Sequence, residues 1–180
     1  MTKFFLIAPY PKLLGYNTKP MLLTPHTVAA IAIASLVKQP ELALLLAFAS
    51  HFVLDYIPHW DPPLLVKCLN AKVPIRAGKE VFLFIFCDFL IALTFGLFFI
   101  WRVMPNTVLA GTIFGAAFLA NVPDGLALPL LFGKRWGWVR RWRRFHRIYH
   151  TTPLPLFWGL LPQAVVIAIG LLIALRQTLP

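Results

Sequence analysis

The chain has 180 residues, of which 59% are hydrophobic and only 13% are charged. Its 17 lysines and arginines against six acids give a formal net charge of +11 at pH 7. Soluble domains average about 45–50% apolar and about 25% charged residues, so this composition excludes an ordinary soluble domain and predicts an integral membrane protein. Cys68 and Cys87 lack the spacing of a zinc ligand set and the number of a disulfide framework.

The N-terminal third of the chain predicts an interfacial segment followed by a helical hairpin. Residues 1–20 hold a short apolar run that Pro9 and Pro11 interrupt, without a clean cleavage site, so we expect a retained segment. The hairpin covers residues 24–57. Its first helix, residues 24–37, is shorter than the about twenty residues of a full span, so we expect it to be short, tilted or partly inserted.

Three longer apolar stretches predict membrane helices, over residues 81–101, 107–132 and 154–175. The second is broken by the polar sequence NVPDG at residues 121–125. Residues 61–79 are rich in proline and basic side chains and predict an exposed loop. The expected fold is therefore a single all-α membrane domain, a polytopic helical bundle with about five membrane segments.

Residues 134–150 form the most charged part of the chain, where lysines and arginines alternate with tryptophan, phenylalanine and tyrosine. This pattern predicts a basic amphipathic helix at the membrane interface, with anionic lipid headgroups as partners. Nucleic-acid binding would use the same residue types, but the apolar composition favours lipid, so no nucleic acid is expected. A plain topology signal explains the charge equally well.

The basic residues also predict the orientation of the chain in the membrane. The loops at residues 67–79 and 134–147 hold eleven of the 17 lysines and arginines, and two predicted spans separate them. Short basic loops stay cytoplasmic, so both loops are expected on the cytoplasmic side of the membrane. All five histidines then lie toward that side.

The sequence SHFVLDYIPHWD at residues 50–61 carries His51, Asp55 and His59 at four-residue intervals. On a helix this spacing places side chains on one face, and Pro58 predicts that the helix bends or ends just before His59. An imidazole and a carboxylate one turn apart suit a divalent metal. The alternative is a helix end whose polar residues contact water at the interface.

Other ionisable residues lie within or beside the apolar segments. A carboxylate in hydrocarbon costs roughly 2.5–3.5 kcal/mol, so Asp88 and Asp124 should each face a partner. Asp88 alone could instead make a structural hydrogen bond to a neighbouring helix, and Asp124 could belong to a helix break. His146 and His150, one helical turn apart, resemble the histidine pair of helical zinc sites.

Taken together, these side chains predict a metal site with one or two divalent ions. Imidazole with carboxylate favours zinc, with manganese and iron as alternatives. Such a site activates water and holds the oxygens of a phosphoester. The predicted metal ligands are His26, His51, Asp55, Asp88, Asp124, His146 and His150. The predicted catalytic residues are Asp55, Asp88 and His150.

Four sequence elements resemble a known family: an early histidine, H-xxx-D followed by P-H, P-D after aliphatic residues, and HR-xx-H-T. They resemble the YdjM-like membrane-bound metal-dependent hydrolases, inner-membrane proteins described as LexA-binding, although the order of the elements differs. SHFVLDYIPH is similar, more distantly, to the H-xxx-D-xxx-H elements of zinc-dependent phospholipase C. The resemblance implies a helical membrane enzyme whose metal site uses His26, His51, Asp55, Asp124, His146 and His150.

The sequence therefore favours a membrane-bound metal-dependent hydrolase of a phosphoester, with lipids among the candidate substrates and the site near the cytoplasmic side. The alternative is a non-enzymatic protein that binds or transports metal ions or protons through the same cluster. A transporter predicts polar residues on the outer halves of the spans, where only Thr94, Thr107 and Thr112 stand out. This asymmetry favours a one-sided site.

Overall fold

The computed structural model describes residues 21–71, 73, 75–149 and 154–178, so the predicted N-terminal interfacial segment lies outside the described residues. Within the described part the chain is all-helical, which confirms the predicted all-α class. The α-helices are α1 (Leu23–Leu36), α2 (Pro40–Asp55), α3 (Pro63–Asn70), α4 (Lys79–Val103), α5 (Thr107–Gly125), α6 (Gly137–His146) and α7 (Leu156–Gln177).

Helices α4, α5 and α7 are long and apolar enough to cross a membrane, by length and composition. The hairpin helices α1 and α2 are shorter, with 14 and 16 residues. At 1.5 Å per residue they reach about 21 and 24 Å, less than the roughly 30 Å hydrocarbon core of a bilayer. Three of the about five predicted segments therefore have the length and composition of a span.

Helix α1 lies at the centre of the bundle, where it contacts α2, α4, α5 and α7. Val28, Ala30 and Ile31 on this helix are fully buried. A helix that is apolar on all sides is typical of a protein core, and the alanines around it allow close helix packing. Its short length therefore reflects a position among other helices.

Two glycines let neighbouring helices approach closely. A Cβ atom on Gly170 of α7 would lie 2.7 Å from Val28 Cγ1 on α1, and one on Gly115 of α5 would lie 2.9 Å from Leu44 Cδ2 on α2. Gly111 has no neighbouring atom within 4 Å of such a Cβ. Of the two glycines Gly111 and Gly115 on α5, only Gly115 is thus at a close helix contact.

The segment predicted as an exposed loop contains an amphipathic helix, α3. It begins at Pro63, because proline fits the first turn of a helix, where no backbone donor is required. Leu65 and Leu69 are buried in a second apolar cluster with Leu130 and with Val139 of α6. The apolar spacing within Pro63–Asn70 therefore favours a helix, although prolines flank the segment and a lysine lies within it.

Several helix ends also differ from the predicted boundaries. Helix α5 continues through Pro123 and ends at Gly125, and the rest of the predicted 107–132 stretch holds the 3-10 turn Leu128–Leu131. Helix α6 ends at His146 and is followed by the 3-10 turn Arg147–Tyr149. The predicted one-turn helical pairing of His146 with His150 therefore has no continuous helix to carry it, and His150 lies outside the described residues.

Candidate metal centre

The carboxylate of Asp55 is surrounded by three imidazoles from three helices. Its Oδ1 atom lies 3.3 Å from His26 Nε2, and its Oδ2 atom lies 3.2 Å from His51 Nε2 and 3.1 Å from His146 Nε2. All four side chains are fully buried. A buried carboxylate needs compensation by positive charge or hydrogen bonds, which makes Asp55 the centre of a polar cluster.

Helix ends bring these side chains together. His26 lies in the first turn of α1, and His146 is the last residue of α6. His51 and Asp55 lie in the last turns of α2, four residues apart, and therefore share one helix face. Only the ends of these helices meet at the cluster, so it forms a localised polar site in an otherwise apolar bundle.

The backbone fixes the orientation of the His51 ring. His51 Nδ1 lies 2.7 Å from the carbonyl oxygen of Ala120, and a carbonyl only accepts hydrogen bonds, so this nitrogen carries a proton. In the neutral ring, Nε2 then presents its lone pair toward Asp55 and toward His146 Nε2, 2.8 Å away. A histidine that donates its second nitrogen to a carbonyl is the usual arrangement of a metal ligand.

The separations of the donor atoms fit one divalent ion. Two nitrogens bound to zinc at about 2.0–2.1 Å are about 2.9 Å apart at a right angle and about 3.3 Å apart in a tetrahedron. The three distances between His51 Nε2, His146 Nε2 and Asp55 Oδ2 are 2.8, 3.1 and 3.2 Å. With Asp124 added, one donor atom from each residue lies within 4.8 Å of the others. These four residues are compatible with a metal site.

Asp124 lies near the Nδ1 atom of the His146 ring. Its Oδ1 atom is 3.9 Å from His146 Nδ1, beyond hydrogen-bond length, so its charge rather than a direct bond acts on the ring. The indole of Trp142 stacks on His146 at an interplanar angle of 15° and donates a 2.7 Å hydrogen bond to the Pro123 carbonyl. Trp142 thereby anchors α6 to the end of α5 and holds the His146 ring in place.

His26 completes the cluster with nitrogen atoms that have no hydrogen-bond partner among the described residues. Both of its ring nitrogens are buried, although Nε2 lies 3.3 Å from Asp55 Oδ1. The ring stacks on His51 with a centroid distance of 4.2 Å. Buried polar atoms are almost always paired, so His26 is a further candidate ligand to an ion in this cluster.

Asp88 has a different partner from the one predicted. Its carboxylate accepts hydrogen bonds from the backbone N–H groups of Leu23 (2.6 Å) and Thr24 (3.3 Å) and from the Thr24 hydroxyl (2.6 Å). Helix α1 has no side-chain cap at its own N-cap residue, so Asp88 satisfies the free donors of its first turn and complements its dipole. This is the structural hydrogen bond to a neighbouring helix that the sequence left open as an alternative.

We therefore expect Asp88→Ala to destabilise the bundle without removing a metal ion. Two backbone N–H groups would lose their acceptor, which lowers the free energy of unfolding by about 1–3 kcal/mol. Thermal unfolding in detergent and elemental analysis would measure the two effects, with the exposed acid Glu80→Ala on the same helix as control. Loss of metal at unchanged stability would instead place Asp88 in the centre.

A second buried pair, His59 and Asp61, lies directly after α2, and Asp61 was absent from the predicted site. The His59 Nε2 atom lies 3.2 Å from Asp61 Oδ2. The sequence signal was an acid two residues after a histidine, held between Pro58 and Pro62. The prediction followed the four-residue spacing of a helix, which misses a pair on the loop beyond it.

His59 and Asp61 lie outside the membrane helices, and burial and neighbouring charges shift their pKa values. Burial lowers the pKa of His59, but the contact with Asp61 and its charge outweigh burial and raise the pKa to about 9. Burial raises the pKa of Asp61 to about 6, opposed by His59 and aided by the charges of Asp124 and Asp55. The carboxylates therefore share one region of low dielectric constant.

Arg143 on α6 is the second buried group that sequence reasoning missed. Burial lowers the pKa of its guanidinium, and the charges of Asp124, Asp55 and Asp61 oppose that effect. The arginine is three residues before His146, so helical spacing places both on the inward face of α6. The three-residue spacing from His146 could have identified Arg143 as inward-facing, but Arg143 is surrounded in sequence by exposed arginines.

The fold and the cluster define a helical protein with apolar helices long enough to cross a membrane and a His/Asp group compatible with a metal site. Comparison of the chain with protein-family models finds no match, and neither curated proteins nor solved structures match it. The resemblance to the YdjM-like hydrolases therefore stays a prediction. The geometry of the cluster carries the functional interpretation.

Proposed function

We propose that this chain is a membrane-embedded, metal-dependent hydrolase that cleaves a phosphoester, with phospholipids as the first candidate substrates. A divalent ion would be held by His51, Asp55, Asp124 and His146, and His26 would add a further nitrogen. Zinc is the first candidate, because imidazole and carboxylate are common zinc ligands, and manganese or iron are the alternatives.

One observation carries this proposal: two imidazole nitrogens and a carboxylate oxygen from α2 and α6 converge within 2.8–3.2 Å. Because the other nitrogen of His51 is committed to the Ala120 carbonyl, the neutral His51 ring cannot donate to Asp55. The lone pairs of His51 Nε2 and Asp55 Oδ2 then face the same small volume. A divalent cation in that volume would satisfy both.

The surrounding charges support a phosphoester substrate. A divalent ion polarises a phosphoryl oxygen and activates water for attack. The buried guanidinium of Arg143, close enough to interact with Asp55 and Asp124, provides a planar donor suited to phosphate oxygens. Exposed arginines at positions 140, 141 and 144 of α6 would attract an anionic headgroup toward the site.

The proposed location is a bacterial-type inner membrane with the site facing the cytoplasm. The basic helix α6 contributes His146 to the cluster, so the cluster lies on the same side as these positive charges. Trp136, Trp138 and Phe145, on and beside this helix, are exposed, and aromatic side chains of this kind favour the headgroup region. Positive charge marks the cytoplasmic side in short loops.

A proton-binding or transport function is the second candidate, because one contact favours it specifically. The 2.8 Å separation of His51 Nε2 and His146 Nε2 is also the length of an N–H···N hydrogen bond, through which two imidazoles share a proton. In that case Asp55 would accept protons from the surrounding rings, and no metal would be required.

Metal content and hydrolysis separate the two functions. The full chain, purified in detergent and loaded with zinc, should retain the ion in elemental analysis. It should hydrolyse p-nitrophenyl phosphate, bis-p-nitrophenyl phosphate or phosphatidylglycerol vesicles, and lose that activity with EDTA and regain it with zinc or manganese. The His51→Gln variant should lose the ion at this site and the activity, whereas Glu41→Gln, an exposed acid on the same helix, should retain both.

A zinc-loaded protein that retains no ion would remove the metal proposal and leave proton binding. Retention of the ion in the wild type and not in His51→Gln, without hydrolysis of any of the three substrates, would favour a non-enzymatic metal-binding protein.

A further inference from the structure

The pair formed by His59 and Asp61 has the features of a second cation site, separate from the cluster around Asp55. Asp61 is fully buried and His59 is 4% exposed. His59 Nε2 lies 3.2 Å from Asp61 Oδ2, yet neither atom has a hydrogen-bond partner among the described residues. The two atoms are thus close together but not aligned for an N–H···O bond. A separation of about 3 Å is also that of two ligand atoms bound to one zinc ion.

The backbone also fixes the His59 ring. His59 Nδ1 lies 2.6 Å from the Ile57 carbonyl oxygen, and a carbonyl oxygen only accepts, so Nδ1 carries a proton. Nε2 therefore faces the Asp61 carboxylate, with an N–H when the ring is charged and with its lone pair when the ring is neutral, as it would be when bound to a metal ion. This repeats the arrangement of His51, whose Nδ1 is committed to Ala120 and whose Nε2 faces Asp55.

A single proton on His59 would satisfy the pair only in part. A carboxylate has about four lone-pair positions, and both oxygens of Asp61 are buried without a hydrogen-bond donor in the part of the chain that the structure describes. An imidazolium N–H would serve one of these positions on Oδ2 and leave Oδ1 without a donor. A cation with its bound waters can satisfy both oxygens.

Helix α7 holds this segment rigidly. The Trp60 N–H donates to the Gly159 carbonyl at 3.1 Å, and the Leu154 N–H donates to the His59 carbonyl at 3.1 Å. The Gln163 amide donates to the Trp60 carbonyl at 2.8 Å. These hydrogen bonds to the backbone of His59 and Trp60 hold the segment between the two residues of the pair, so the donor atoms are positioned before any ligand arrives.

The charges around the pair add to its demand for a cation. The carboxylates of Asp124 and Asp55 interact repulsively with Asp61, and the charge of Arg143 interacts with all three acids. Arg143 and any charged imidazole beside these three carboxylates each bring a single positive charge. A divalent ion would bring more charge to the same volume.

We infer that His59 Nε2 and the Asp61 carboxylate hold a second divalent cation, zinc or manganese, whose remaining positions take water and the phosphoryl oxygens of the substrate. This inference deepens the proposed function and rests on it for the role of the ion. Two ions near one another would stabilise both the attacking and the leaving oxygen of a phosphoester. The presence of the ion itself depends only on the pair.

Metal stoichiometry in the full chain tests the inference. The detergent-purified protein is stripped with chelator, loaded with zinc or manganese, and analysed for bound ions per chain by elemental analysis. We expect about two ions in the wild type, about one in Asp61→Asn, and two in the control Glu41→Gln. His59→Gln is the second variant, used if Asp61→Asn loses helical content in circular dichroism. His51→Gln reports on the first site.

The outcomes distinguish the two sites. One ion in the wild type that His51→Gln removes and Asp61→Asn retains would overturn the second site and leave the proposed function intact. One ion that Asp61→Asn removes and His51→Gln retains would support the second site and overturn the first. Two ions in the wild type and in both His59→Gln and Asp61→Asn would overturn the inference, and no ion in the wild type would overturn both sites.

Discussion

Asp55→Asn is expected to remove the ion at the Asp55 cluster and to abolish hydrolysis while leaving the helical bundle folded. Three imidazole Nε2 atoms lie 3.1–3.3 Å from this one carboxylate, so no other residue can replace it at the centre of the cluster. Loss of an outer partner of a metal ligand already costs about 10–100-fold in affinity, so loss of the central carboxylate should exceed that range. Elemental analysis and phosphoesterase assays measure the effect.

Thermal unfolding separates a metal ligand from a structural carboxylate. A bound ion stabilises the folded state by about 2.7 kcal/mol when its concentration is 100 times the dissociation constant. Chelation should therefore lower the unfolding temperature of the wild type and of Glu41→Gln by more than that of Asp55→Asn, which lacks the ion at this cluster. An Asp55→Asn protein that binds as many ions per chain as the wild type, or an equal response of all three proteins to chelator, would contradict the assignment.

Gly159→Ala is expected to destabilise the fold more than the same change at the other helical glycines that the structure describes. The new Cβ would lie 2.4 Å from Trp60 N, 2.5 Å from Trp60 Cβ and 2.8 Å from the His59 carbonyl carbon. Two of these neighbours are backbone atoms, so relief requires separating α7 from the segment that carries His59. Overpacking of this kind costs about 1–3 kcal/mol, and loss of the 3.1 Å hydrogen bond from Trp60 adds to it.

The measurement is thermal unfolding in detergent combined with metal stoichiometry. We expect Gly159→Ala to unfold at lower temperature and to lose the ion at the His59 and Asp61 pair more readily than the ion at Asp55. Gly111→Ala on α5 is the matched control, because no atom lies within 4 Å of its new Cβ. In a helix that change is neutral or stabilising by roughly 0.5–1 kcal/mol. Wild-type behaviour of Gly159→Ala would contradict the tight contact.

The contrast between Asp55 and Asp88 shows what the charge pattern of the sequence predicts about a buried acid and what it does not predict. Both are acids in apolar helices, and the cost of an unpaired carboxylate predicts a partner for each without identifying it. The partners of Asp88 are the N–H groups of Leu23 and Thr24, 65 and 64 residues away in sequence. The partners of Asp55 are imidazoles. Only the packing of α1 against α4 and α2 distinguishes these two roles.

Helical periodicity predicts contacts within one helix, such as that of His51 with Asp55, but not contacts within a loop, such as that of His59 with Asp61. Because His51 and Asp55 are four residues apart within α2, their shared face follows from the sequence alone. The pairing of His59 with Asp61 depends on a loop after the helix end, and its conformation depends on hydrogen bonds to α7. The sequence predicted a loop in place of helix α3 for a related reason. The apolar residues of this helix form a buried face only because Leu130 and Val139 pack against them.

The sequence by itself determined the membrane character, the all-helical class and the His51 and Asp55 pair, because composition and the helical period are local properties of the chain. The tertiary structure decided which imidazoles meet Asp55, that Asp88 caps α1 and that His59 and Asp61 form a buried pair. These choices depend on how helix ends meet, since a buried polar atom can be satisfied by any donor that packing brings within about 3 Å. Local sequence does not specify which donor that will be.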